Sequence, residues 1–511
     1  MERGAKSGPG VGLEELVRGL PLESPEAPVN VRGVTHDSRS VEPGDLFVAL
    51  VGEQHDGRRY AQQAVQQGAV AVLGEGNAPP KIDVPWIAAK ADPRTMLGPL
   101  AARIYGHPDR EMTTVGVTGT NGKSTVTALA AAVLDAAGRP AGMIGTLGYR
   151  FRDLSFPGER TTPEASDLFR MLRRMVDAGA RAAAIEVSSH ALAMGRVAGA
   201  AFDVAVFTNL TRDHFDFHDG FEDYFAAKRR IFDQLKDGGR AVVCIDDPYG
   251  RRLAEEIPGA LTYGENGEVR LSDVQLGADG SRAVAHTPRG DLRFKSPLVG
   301  SFNLANLTAV VAVAEALELP HEAVMRGFEQ REPLPGRLEP VKLPSHPAQG
   351  SDRPARDLPV QVYIDFAHTP AALEALLVAA RQLTHEQLVL VFGCGGDRDP
   401  GKRPQMGEIA GKLADLPIVT SDNPRTEDPL AIIADVEQGL KASGNTHYRV
   451  MPDRHEAIRR AVAVAQPGAV VLVAGKGCEE YQIVGERRTP FSDREEIVRA
   501  LEDRFGRDGG R

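Results

Sequence analysis

Apolar residues along this chain fall in short unbroken runs, set apart by longer stretches of helical period. Leu46-Phe47-Val48-Ala49-Leu50 and Ala69-Val70-Ala71-Val72-Leu73 are early runs, with the helical stretch Tyr60 to Gln67 between them. Strand-length runs alternating with helical segments predict a small α/β unit over residues 1–108. Ile104-Tyr105-Gly106-His107-Pro108 reads as its helix end and linker. Within it, Asp37-Ser38-Arg39 reads, on the residues alone, as a polar turn before the strand that follows Gly44.

The same pattern continues over residues 109–335. Thr113-Thr114-Val115-Gly116-Val117 predicts the end of a buried β-branched strand, and Ser124 opens a helical run that Gly138 can close. Three further runs, 181–186, 204–207 and the weaker 241–245, end in polar residues: Glu186-Val187-Ser188-Ser189-His190, Thr208 to His214, and Asp246-Asp247. Gly300-Ser301-Phe302-Asn303-Leu304-Ala305-Asn306 opens an apolar helix; the two amides can read a base or simply cap it. Residues 336–511 predict a third α/β unit, beginning after Leu334 to Glu339 and a Pro-rich stretch, Leu343 to Pro359, that reads as an exposed loop. Its strands are expected at Val360–Asp365, Leu388–Gly393, Ile418–Ser421 and Ala469–Gly475. They end in Asp365-Phe366-Ala367-His368, the loop 393–399, Ser421-Asp422-Asn423-Pro424-Arg425 and Gly475-Lys476-Gly477-Cys478-Glu479. Loops beyond the carboxyl ends of parallel strands are where such sheets bind ligands, and these carry both signs of charge, as a zwitterionic ligand requires.

Chemistry concentrates at Thr118-Gly119-Thr120-Asn121-Gly122-Lys123-Ser124. A strand, a Gly-containing turn, Lys-Ser and a helix N-terminus make a phosphate cradle. Lys123 would reach the β and γ phosphates and Ser124 would bind Mg²⁺, so the expected ligand is ATP. The spacing departs from the usual P-loop, since Val117 stands five before Gly122 where a Gly is usual. Glu186, at a neighbouring strand end, can supply a further hard ligand. His214 and His218 could suggest zinc, but no Cys or other His stands near in sequence, and zinc is rejected.

Composition narrows the class. At 511 residues the chain calls for about three domains. Its 42% hydrophobic and 25% charged residues are those of a soluble globular protein, and a net charge of −10 argues against a nucleic-acid binder. The three cysteines, Cys244, Cys394 and Cys478, form no CxxC pair. The first residues lack the apolar core of a signal peptide, and apolar runs stop at strand length, so a cytoplasmic enzyme without a membrane span is expected.

Taken together, Gly119 to Ser124, Glu186 to His190, Arg212-Asp213-His214, Tyr224-Phe225-Ala226-Ala227-Lys228 and Asp422-Asn423-Pro424-Arg425 resemble the Mur ligases of peptidoglycan synthesis, most of all those adding the third amino acid. The resemblance runs from Asp37-Ser38-Arg39 to Gly475-Lys476-Gly477 and accounts for the shortened phosphate loop. It implies a small α/β UDP-binding domain, a central P-loop ATPase with a mostly parallel sheet and a C-terminal Rossmann-like domain. It implies an ATP- and Mg²⁺-dependent ligase, acting as a monomer, that joins meso-diaminopimelate to UDP-MurNAc-L-Ala-D-Glu through an acyl phosphate. By motif, Ser38, Gln54 and His55 would bind UDP, and Thr161, Thr162, Ser188 and Arg196 the muramoyl-peptide. Ser124, Glu186 and His214 would serve Mg²⁺, and Lys228, otherwise a plain surface lysine, would be carbamoylated and hold a second ion. Asn306, Arg337 and Asp365 would hold the nucleotide. Arg398, Asp422, Asn423, Pro424, Arg425, Gly475 and Glu479 would hold diaminopimelate. Three departures stand out: Cys478 where the family usually has His, Met194 where a Gln is frequent, and the 343–359 insertion. A folylpolyglutamate synthase would share the chemistry, but Asp37-Ser38-Arg39 and the whole first unit argue against it. A non-catalytic ATP-binding regulator would not need Lys123, Glu186, His214 and Lys228 together.

Overall fold

The apolar runs become the inner strands of three sheets. The computed structural model describes residues 10–23, 27–52, 55–158, 160–277, 279–329, 334–343 and 358–506. In the first sheet Gly33–Thr35, Asp45–Val48, Ala71–Glu75 and Trp86–Ala89 lie parallel, in chain order. Asp45–Val48 is buried throughout, because parallel strands are covered on both faces. The helix Pro93–Ile104 follows, started by Asp92, whose carboxylate accepts the Arg94 N–H at 2.9 Å, and by Pro93, whose fixed φ suits a first turn.

Among the described residues the central sheet has eight strands, antiparallel only at the edge formed by Gly148–Phe151 and Leu154–Phe156. Thr113–Thr118 lies between Ala182–Glu186 and Phe202–Phe207 and is parallel to both. Register sets Glu186 beside Val117 and Phe207 beside Thr118, so the three strands end level and their loops share one edge. The helix Lys123–Ala136 packs on this sheet and is itself covered by Ser301–Ala316 and His321–Glu329. Its alanines and small β-branched residues suit a helix buried on nearly every side, since they let neighbours approach closely.

The third sheet runs Glu339–Val341, Gln361–Asp365, Val470–Ala474, Leu388–Phe392, Leu416–Val419 and Arg449–Val450, parallel except for its first pair. Its inner strands are fully buried, apart from exposed or half-buried first residues at Gln361 and Leu416. On one side the third unit meets the central one through apolar atoms: Val299 and Phe302 join its core, and a Cβ on Gly300 would lie 2.9 Å from that of Ala379. Among the described residues, no helix is long and apolar enough to cross a membrane.

Two elements differ from the sequence expectation. The run at Ala241–Cys244 is only the end of a strand, Leu235–Cys244, whose first half is exposed or half-buried and whose register slips against Phe202–Phe207. Residues 270–296 form an antiparallel meander of three strands, a small sheet for which the sequence reading offered nothing. Most of the Leu343 to Pro359 insertion, 344–357, lies outside the described residues.

Candidate active site

The phosphate loop is built from neighbouring strand ends as much as from its own glycines. The Asn121 N–H donates to Asn209 Oδ1 at 2.9 Å, the Thr208 hydroxyl donates to the Asn121 carbonyl at 2.7 Å, and the Thr120 N–H donates to the Asn209 carbonyl at 2.8 Å. Thr118 is buried where the strand stops, and Gly119 and Gly122 turn the chain with φ of 144° and 86°. Behind Gly122 stands Asn306, whose Oδ1 would be 2.3 Å from any Cβ there. The Asn306 amide donates to Asn303 Oδ1 at 3.0 Å, and the Asn303 amide to the Val299 carbonyl at 2.8 Å, so both asparagines brace the start of their helix.

Lys123 Nζ donates to the Thr120 carbonyl at 2.8 Å. Burial pushes its pKa down, against the pull of Glu186 and Asp213. Glu186 is buried at the end of its strand, with Oε1 accepting the Ser124 hydroxyl at 3.0 Å and Oε2 the Thr146 N–H at 2.8 Å. Ser124 Oγ also accepts Arg337 Nη2 at 2.8 Å, so a residue of the third unit reaches the phosphate loop directly. Asp365 fixes the segment carrying that arginine, because its carboxylate accepts the Leu338 and Ala367 N–H groups, each at 2.7 Å. Ser124 Oγ and the Glu186 carboxylate are hard oxygens already in contact, a pair that fits magnesium.

Lys228 is 1% exposed, under the Tyr224 ring, with Nζ donating to the Gly119 carbonyl at 2.6 Å. Burial first, and then Lys123, hold its pKa well below the ordinary lysine range. Both lysines thus donate to loop carbonyls, and two like charges converge on one turn. His214, with φ of 57°, is held by Asp213: Oδ1 accepts its N–H at 2.9 Å and Oδ2 lies 3.3 Å from Nε2. Burial keeps this imidazole well below its usual pKa, and His190, Lys123 and Lys228 work in the same direction. Asp213 also faces the third unit, 3.6 Å from Lys402 Nζ and 3.7 Å from His368 Nε2. Beside it, Arg212 forks onto Asp399 at 2.8 and 3.1 Å. His218 is turned elsewhere, bonded to Asp223 at 2.9 Å and Ser189 at 3.0 Å.

At the carboxyl edge of the third sheet, Asn423 Oδ1 accepts from Lys476 Nζ at 3.1 Å and the Ile483 N–H at 3.0 Å, and its amide donates to Glu479 at 2.9 Å. Lys476 donates to the same Glu479 at 3.0 Å. A Cβ on Gly475 would be 2.7 Å from Asp422 Oδ2, which brings that loop against the Asp422-Asn423-Pro424-Arg425 turn. Arg425 Nη1 donates to the Gly396 carbonyl at 2.6 Å. Burial, then the Arg398 guanidinium, lowers the Arg425 pKa. Arg398 lies 3.8 Å from Asp216 of the central unit.

Ser38, His55 and Arg196 line a separate cavity of about 1780 Å³ between the first unit and the central one. The Ser38 hydroxyl donates to Gln63 at 3.2 Å, and Arg196 pairs with Glu164 at 2.9 Å. Gln54 lies outside the described residues. Thr161, Thr162 and Ser188 sit instead around the Glu186 strand end. Thr162 Oγ1 donates to the Glu186 carbonyl at 2.8 Å and accepts the Ser188 N–H at 3.1 Å; Thr161 and Thr146 hydroxyls are 3.0 Å apart. Ser188 Oγ caps the next helix by accepting the Ala191 N–H at 3.2 Å.

Sequence reasoning gave no role to Asn209, Thr146, Asp213 or Lys476. Asp213 stood inside a quoted motif, Lys476 between two named glycines and Asn209 in the polar strand end Thr208 to His214, so each had a local signal; Thr146 had none.

Comparison with known proteins gives three family models along the chain. "Mur ligase family, catalytic domain" matches residues 30–105, "Mur ligase middle domain" 117–314 and "Mur ligase, glutamate ligase domain" 354–477. The chain is 42% identical, over 96% of its length and 98% of the relative's, to the UDP-N-acetylmuramoyl-L-alanyl-D-glutamate–2,6-diaminopimelate ligase of Geobacter metallireducens. It is 45% identical to that of Synechococcus elongatus, over 93% and 94%. A solved structure of a ligase of that name superposes with a TM-score of 0.65 at 33% identity, covering 97% of this chain and 99% of that one. Folylpolyglutamate synthase from Mycobacterium tuberculosis, solved with ADP and AMPPCP, shares the fold at a TM-score of 0.59 and 20% identity, over 80% and 94%. With models matched over most of its length and relatives aligned nearly end to end, the chain belongs to the Mur ligase family.

Proposed function

We propose that this chain is an ATP-dependent, ADP-forming ligase that adds meso-diaminopimelate to the D-glutamate of UDP-MurNAc-L-Ala-D-Glu through an acyl phosphate, in peptidoglycan-precursor synthesis. The names of its relatives support this, and so does the chemistry of its own residues. We assign residues 1–108 to the UDP-sugar, 109–335 to ATP and 336–511 to the amino acid, in a cytoplasmic monomer.

The turn, whose Thr120 and Asn121 N–H groups go to Asn209, aims the helix start at Gly122–Lys123 toward the β and γ phosphates, with Lys123 as the nearest cation. Asn306, Arg337 and Asp365 hold the nucleotide against this loop. The D-glutamate carboxylate attacks the γ phosphorus and ADP leaves; the diaminopimelate amine then adds to the acyl carbon and phosphate departs as the amide forms. Positioning and charge neutralisation account for most of such a rate, so no Ser-His-Asp set is needed. Magnesium, held by Ser124, Glu186 and His214, would supply further neutralisation of phosphate charge. Burial holds the His214 pKa low, against the pull of Asp213, which suits a ligand nitrogen. Ser38, Gln54 and His55 receive UDP, and Thr161, Thr162, Ser188 and Arg196 the muramoyl-peptide.

The observation that carries the choice of amino acid is the pair Arg398 and Arg425 on an edge that also presents Asp422 and Glu479. meso-Diaminopimelate differs from L-lysine mainly by a carboxylate at its far end, which a guanidinium binds through two parallel hydrogen bonds. Lysine would set an ammonium against Arg425. Sites of this kind discriminate by about 10⁴-fold or more. Measured kcat/KM should favour meso-diaminopimelate over L-lysine to that degree, and Arg425→Ala should lose most of the preference. Equal use of both by the wild type, or full diaminopimelate use by the variant, would sink the assignment.

A further inference from the structure

The chain between Glu480 and Phe491 folds into a hairpin, Tyr481–Val484 against Arg487–Pro490, that joins neither large sheet. No residue of either strand is buried, and Val484 is half exposed, so the hairpin adds little to any core. Its bonds go elsewhere. Gln482 Nε2 donates to the Asp422 carbonyl at 2.7 Å, and the Ile483 N–H to Asn423 Oδ1 at 3.0 Å. The Arg425 N–H donates to the Ile483 carbonyl at 3.1 Å, and the Gly485 N–H to the Arg425 carbonyl at 2.7 Å. The strand Tyr481–Val484 and the turn at Gly485 therefore grip Asp422, Asn423 and Arg425.

What it grips is a strained turn. Arg425 has φ of 51°, in the left-handed region that a bulky side chain seldom enters unless its surroundings force it. In that conformation the side chain reaches the Gly396 carbonyl and faces Arg398. A relaxed turn, with φ negative, would swing the guanidinium away from this edge. Asn423 is 2% exposed and spends both Oδ1 lone pairs on Lys476 and the hairpin, so it too acts mainly by holding the turn.

We propose that the Tyr481–Pro490 hairpin sets amino-acid specificity by holding Arg425 in its left-handed conformation, with Gln482 as a positioning residue that never touches substrate. This rests on reading the edge as the diaminopimelate site. Two variants test it: Gln482→Ala removes the side-chain bond to Asp422, and Gly485→Pro removes the N–H and forbids the φ of 59° found there. In each, KM for meso-diaminopimelate should rise by about tenfold, the usual effect of one buried carbonyl left unpaired, with kcat little changed. KM for ATP and for UDP-MurNAc-L-Ala-D-Glu should stay as in the wild type, and the preference over L-lysine should shrink by the same factor. An unchanged diaminopimelate KM in both variants, or a joint rise of all three KM values, would overturn the hairpin's role. A wild type that fails to prefer diaminopimelate would instead overturn the reading beneath it.

Discussion

Lys123 and Lys228 each spend an ammonium on a loop carbonyl, one on Thr120 and the other on Gly119. A half-buried and a buried cation so placed repel, and desolvation lowers both pKa values. A bound triphosphate would relieve the first. For the second, we propose that the free amine favoured by burial adds CO₂ to give a carbamate and a proton, which would turn a repelling cation into a group able to hold a second magnesium. Lys228→Ala should then be nearly inactive and partly rescued by added acetate in a ligation assay; wild-type activity in the variant would return the residue to a structural role. Lys123 and Glu186 were legible in the sequence because a strand-turn-helix motif carries its own chemistry. Lys228 was not legible from the residues: Lys228-Arg229-Arg230 reads as a solvated cluster, and only the packing of its helix under the Tyr224 ring puts the first of the three inside.

At the scale of elements, the phosphate loop and the helix Ser301–Ala316 are fitted to each other where Gly122 meets the Asn306 carboxamide. Gly122 is both left-handed and too close to Asn306 Oδ1 for any side chain. Gly122→Ala should raise KM for ATP by about tenfold or more, since a left-handed alanine costs about 1–2 kcal/mol before the clash is counted. Gly122→Ala combined with Asn306→Gly should recover part of that loss, and no recovery would show that the asparagine is not the obstacle. The inner strands were legible because apolar runs in parallel sheets are continuous: 182–186, 388–392 and 470–474 are buried at every position. Leu235–Cys244 was half legible, because its first half is not in the core and carries no apolar run. The meander 270–296 escaped notice for a related reason. One face is solvated, so the strand Gly290–Ser296 alternates exposed and buried residues within a polar composition. The hairpin 481–490 had no apolar pattern to betray it, yet it bonds Asp422, Asn423 and Arg425 at the carboxyl edge of the third sheet.

At the scale of the molecule, the central and third units meet along two unlike margins. One is apolar, where Gly300 abuts Ala379 and Val299 joins the far core. The other is charged: Arg212 on Asp399, Lys402 and His368 about Asp213, and Arg398 near Asp216. Apolar contact resists separation in water. Arg398–Asp216, with both partners partly exposed, is worth about 1 kcal/mol or less and weakens with electrolyte. Arg212, about a third exposed on a buried Asp399, weakens less, and Lys402 and Asp213 are both buried. The joint would therefore open first on its ionic side, like a door hung on its greasy side and latched on the other. Rising salt should let the latch go first, and small-angle scattering should record a longer particle; Arg212→Ala should lengthen it at lower salt, and a profile indifferent to both would mean there is no such latch. Arg398, an arginine of the amino-acid edge, is part of the latch margin. Swinging open would carry it away from Asp216 and from the phosphate loop together, so an acyl phosphate would meet its amine only while the door is shut.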